Sequence, residues 1–69
     1  MNKSEVVKAF LPVLQMTRAG EGITELDYQK DKYEYETVTV TYKSGDRLIV
    51  DVSCDSSATM LKEIIEAVA

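Results

Sequence analysis

The sequence predicts an α+β two-layer sandwich: a helix, three antiparallel strands in a meander, and a second helix, with both helices on one face of the sheet. Three observations lead there. Between Tyr33 and Cys54, two runs alternate with period two and are separated by Lys-Ser-Gly-Asp, which is the pattern of a hairpin. Each end of the chain carries apolar residues at helical spacing. A weaker alternating run, Ile23 to Lys30, lies between the first helical stretch and the hairpin and supplies a third strand.

In chain order, Asn2 to about Ala19 reads as the first helix. Val7, Phe10, Leu11 and Leu14 form its apolar stripe, widened by Val6, Val13 and Met16. Asn2 and Glu5 have the spacing of a capping box, Ser4 is an alternative cap, and Gly20 offers a left-handed stop. Pro12 removes one backbone donor and meets the Lys8 carbonyl, so a kink or break is expected there. Gly20, Glu21 and Gly22 then make a flexible joint, and the strand that follows puts Leu26 and Tyr28 on one face.

The second strand places Val38, Val40 and Tyr42 inward and Thr37, Thr39 and Thr41 outward. Paired residues must share a face, so Val40 is set opposite Val50, Tyr42 opposite Leu48 and Val38 opposite Val52. Ser44, Gly45 and Asp46 then form a three-residue loop. Cys54 falls at the inward end of the third strand as a small apolar group. Asp55, Ser56 and Ser57 are cap candidates for the closing helix, whose stripe is Leu61, Ile64, Ile65 and Val68. Glu34 and Glu36 share the inner parity of the second strand. They are expected to lie beyond the helices' cover, unless a bulge near Tyr35 reverses the facing.

Composition bounds the function. The 69 residues are expected to make one domain, 1–69, with a small core for which self-association is an ordinary source of added stability. A net charge of -4 with scattered cations weighs against phosphate backbones and anionic membranes. A lone cysteine and the lack of a leader pattern or a long apolar run point to a soluble, cytoplasmic protein. With no His and one Cys, the usual zinc and iron-sulfur ligand sets cannot be assembled, and nucleophilic catalysis lacks its usual base. No glycine-rich strand-to-helix turn is present to cradle phosphate. No catalytic, cofactor or metal residue is therefore assigned, and no small-molecule substrate is evident.

The element order resembles that of the double-stranded RNA-binding domain in topology. That family grips phosphates with a lysine cluster opening its second helix, whereas Asp55 to Thr59 here has no cation and begins with an acid, so no binding residue carries over. Nucleic-acid binding stays as the alternative reading, with Lys30, Lys32 and Lys43 as its cations. The leading expectation is a small non-enzymatic interaction module, binding a protein partner or a second copy of itself through the open sheet face. The candidate surface is Tyr33, Tyr35, Thr37, Thr39, Thr41 and Ile49. The competing reading of those residues is a solvated face built from good strand formers.

Overall fold

A computed structural model describes the whole chain, Met1–Ala69. Its elements are α1 (Lys3–Gln15), β1 (Ile23–Lys30), β2 (Glu36–Tyr42), β3 (Arg47–Asp51) and α2 (Ser57–Val68). The strands form one antiparallel sheet in the order β1-β2-β3, as the meander requires. Both helices cover the same face. Val7 and Leu14 of α1 and Met60 and Ile64 of α2 join Val38, Val40, Val50 and Val52 in a single buried cluster, with Ile23 and Leu26 from β1.

Asn2 caps α1 as its spacing predicts, its Oδ1 accepting the Glu5 N–H at 2.9 Å. The helix runs unbroken through Pro12 but ends at Gln15, earlier than the expected Ala19. Val13 and Met16 are exposed, so the stripe is narrower than the sequence suggests. Gly20 does not act as a left-handed stop. A Cβ there would collide with the Leu14 carbonyl oxygen, so glycine lets the chain turn tightly against the end of α1 before entering β1. In β1 the register slips between Ile23 and Glu25. That bulge lets Ile23 and Leu26 both face the core although they lie three positions apart.

The β2–β3 hairpin has the expected facing but a register two residues away. Val38 pairs with Val50 and Val40 with Leu48. The loop is Lys43, Ser44 and Gly45, closed by Gly45 N–H on the Tyr42 carbonyl and by Tyr42 N–H on the Asp46 carbonyl. Gly45 has φ 95, the left-handed third position of such a loop, and this requirement selects the register. A slip of two preserves which side chains face inward, which is why the core assignment survives the change.

Two further expectations are corrected. β3 ends at Asp51, and the inward position beyond it is Val52; Cys54 is exposed, with φ 63, in the turn leading to α2. β2 begins at Glu36, so Tyr33 and Tyr35 precede it, Tyr33 within the three-residue turn and Tyr35 opposite Asp31 where that turn closes. Ser56 is the helix cap chosen from the three candidates, accepting the Thr59 N–H at 3.2 Å.

Candidate functional site

The outer sheet face is crossed by three rows: Glu25, Thr41 and Arg47; Asp27, Thr39 and Ile49; Gln29, Thr37 and Asp51. Thr37, Thr39, Thr41 and Ile49 of the expected surface are thus brought together. The threonines are half-buried between neighbouring strands, while Ile49 is 69% exposed and is the one large apolar side chain in these rows. No helix covers this face. Its charges are three acids and one arginine, and Arg47 and Asp51 both lie on β3.

Tyr33 and Tyr35 do not join that face as strand residues. Asp31 organises their loop, its Oδ1 accepting the Tyr33 and Tyr35 N–H groups at 2.8 and 3.0 Å. Glu34, in the left-handed region at φ 69, completes the turn and pairs with Lys30 at 2.9 Å. The parity-reversing bulge considered near Tyr35 is not present: the register of Lys30 with Glu36 continues into the Asp31 N–H bond to the Tyr35 carbonyl, and both tyrosines are exposed, at 68% and 64%. Lys32 Nζ lies 5.1 Å from the centre of the Tyr33 ring. Tyr35 borders a shallow polar cleft of about 380 Å³ with Gln29, Lys30, Asp31 and Thr37 at one end of the sheet.

Glu36 was expected outside the helices' cover, but only 7% of it is exposed. The carboxylate is tolerated because each oxygen is partnered. Lys3 Nζ reaches Oε2 at 2.7 Å, the Tyr28 hydroxyl donates to the same oxygen, and the Cys54 N–H points at Oε1 from 3.4 Å. Lys3 first, and then Tyr28, hold the Glu36 carboxyl down at about 2. Burial, reinforced by that carboxylate, pushes the Tyr28 hydroxyl up to about 12. Neither group exchanges a proton near neutrality, so the cluster suits a pin between α1, β1, β2 and the 53–54 turn and not general acid–base chemistry. Nowhere do three or more Cys, Asp or Glu side chains converge in a metal-binding arrangement.

One apolar feature escaped the sequence reading. Met1, Val6, Ala9, Phe10, Val13 and Leu61 line an open groove of about 240 Å³ along the seam of the two helices. The signal was present, since Val6, Phe10 and Val13 repeat at i, i+4, i+7 beside the core stripe of Val7, Leu11 and Leu14. A single stripe that wide does not fit beneath one small sheet.

Set against known proteins, the chain matches no family model, no curated protein and no solved structure.

Proposed function

We propose that the protein is a small, non-enzymatic interaction module whose partner is a second copy of itself, engaged through the β3 side of the open sheet. The observation that carries this reading is Ile49, 69% exposed at the centre of an edge strand, on a sheet face that no helix covers. Further support comes from the Glu36 cluster, whose perturbed groups are satisfied among themselves and serve packing. Within the expected surface, the reading rests on Ile49 and the threonines beside it; Tyr33 lies in the β1–β2 turn, and Tyr35 borders Thr37 at one end of the sheet.

Nucleic-acid binding gains no specific observation. Lys30 is paired with Glu34, and Lys32 and Lys43 lie in loops at opposite ends of β2, so the three cations do not form a track for a phosphate backbone.

Sedimentation velocity from about 5 to about 500 μM, spanning the range of weak protein association, tests self-association. The expected result is a concentration-dependent rise from monomer towards dimer. Ile49→Asp is expected to hold the protein monomeric, and Tyr33→Ala with Tyr35→Ala to leave the rise unchanged. A strict monomer for the wild-type protein throughout that range overturns the reading.

A further inference from the structure

We infer that two copies join edge to edge, β3 against β3 antiparallel, about a two-fold axis at Ile49, giving one continuous sheet in the order β1-β2-β3-β3-β2-β1. This rests on the self-association reading and specifies its geometry down to the residue pairs.

Backbone parity comes first. At the two ends of the β2–β3 ladder, Tyr42 N–H donates to Asp46 O and Val52 N–H to Glu36 O, so the even-numbered residues of β3 turn their backbone groups towards β2. Hydrogen-bonded and non-hydrogen-bonded pairs alternate along an antiparallel ladder. Arg47, Ile49 and Asp51 therefore aim their N–H and C=O groups at the free edge. A two-fold axis at Ile49 brings those groups into register. Ile49 exchanges both backbone bonds with Ile49 of the second copy, and Arg47 does so with Asp51 of the second copy.

Side chains select the same register. Arg47, Ile49 and Asp51 stand on the outer face, so the pairing sets each Arg47 against an Asp51 and covers the two exposed Ile49 side chains with each other. Asp51 is exposed on the outer face, its Oδ1 accepting the Ser53 N–H at 2.9 Å. On the inner face Leu48 meets Val50. Moving the axis to Arg47 would oppose two arginines, and moving it to Asp51 would oppose two aspartates. An isologous contact must be self-complementary, and Arg47-Leu48-Ile49-Val50-Asp51 is so about its central residue.

The other edge has no such register. In β1 the ladder bonds fall to the odd residues, as the Asp31 N–H to Tyr35 O bond at its end requires, leaving Leu26, Tyr28 and Lys30 facing outward. A two-fold axis at Leu26 opposes Glu25 and Asp27 on the outer face, an axis at Asp27 opposes Asp27 to itself, and an axis at Tyr28 opposes Glu25 and Asp31. The β1 edge is closed to its own copy by like charge, and the β3 edge is not.

The test is charge reversal across the axis, read by sedimentation velocity on wild type, Arg47→Asp, Asp51→Arg and an equimolar mixture of the two variants. Both residues are exposed, and far-UV circular dichroism confirms that each variant is folded. Each variant alone opposes like charges at both ends of the pairing and is expected to weaken self-association at least about tenfold. The mixture restores opposite charges at both ends and is expected to form a heterodimer within about threefold of wild-type affinity. If wild type dimerises and the single variants dimerise equally well, or the mixture stays monomeric, edge pairing is overturned while self-association through another surface stands. If wild type is monomeric, the self-association reading falls and takes the pairing with it.

Discussion

β1 and β3 bound the same sheet, join β2 through hairpins of the same design, and differ in what they offer to another chain. Each hairpin has a three-residue loop whose last member is left-handed: Glu34 between β1 and β2, Gly45 between β2 and β3. The β1 edge is guarded. Glu25, Asp27 and Asp31 punctuate it, the Gln15 side chain of α1 occupies the Ile23 carbonyl at 2.8 Å, and Lys3, Tyr28 and Glu36 lock that side of the molecule to the start of α1. The β3 edge has one cation, one apolar residue and one acid in mirror-compatible order. An exposed edge is a hazard unless it is blocked or used; β1 carries the blocking charges, and the pairing we propose would use β3.

The largest expected effect tests how firmly the β1 side is held. Gly20→Ala forces a methyl group into the Leu14 carbonyl where α1 hands over to β1. It is expected to lower stability by about 1–3 kcal/mol, read from the urea midpoint. A midpoint equal to wild type would mean that the turn relaxes freely and that the close approach does not hold α1 on β1.

Acid separates the two edges next. Glu36 has its carboxyl held at about 2 against an ordinary 4.5. A depressed carboxylate stabilises the fold fully above the ordinary value, and that contribution is lost as pH falls from about 4.5 towards 2. The urea midpoint is therefore expected to decline over that window, with Lys3→Gln flattening the decline because it removes the largest cause of the depression. Parallel curves for the two proteins would show that Lys3 does not hold the carboxylate.

A charge change on β1 opens the guarded edge. Glu25→Lys replaces the acid-against-acid contact of the β1 register about Tyr28 with an opposite-charge one. With both edges then open, assembly is expected to continue past the dimer into longer species seen by light scattering at about 100 μM, since two unlike edges on one chain do not close. A dimer and nothing larger would show that acids are not what blocks β1.

Smallest is the effect at the matched loop position. Glu34→Gly relieves a left-handed non-glycine residue and is expected to stabilise by about 1 kcal/mol, less whatever the exposed Lys30 pair contributes. Gly45→Ala is expected to cost about the same. Thermal melting of both variants checks the sign.

The layer order, the inner faces of β2 and β3, and the Asn2 cap were legible because they depend on local alternation and cap spacing, whereas spacing alone does not choose among Asp55, Ser56 and Ser57. The β2–β3 register was not. It turns on the left-handed residue occupying the third loop position, and a choice made by facing alone is satisfied equally well two residues away. Tyr33 and Tyr35 continue the alternation of β2, which masks the turn; its local mark is Asp31, whose carboxylate accepts from both of their N–H groups. Glu36 was illegible for a different reason. Its partners Lys3 and Tyr28 are distant in sequence, and a buried carboxylate can be read only when the groups that neutralise it are seen. Parity placed Thr37, Thr39, Thr41 and Ile49 together on the outer face, whereas the order of Arg47 and Asp51 about Ile49 on the free edge needed the hydrogen-bond phase of β3.

Amide hydrogen exchange, measured residue by residue at about 20 μM and about 500 μM, addresses the contrast between the edges most directly. Edge pairing predicts that the Arg47, Ile49 and Asp51 N–H groups slow as concentration rises, while those of Leu26, Tyr28 and Lys30 exchange at an unchanged rate. Slowing at the β1 amides, or no change at Ile49 under conditions where the mass doubles, would rule out pairing through β3.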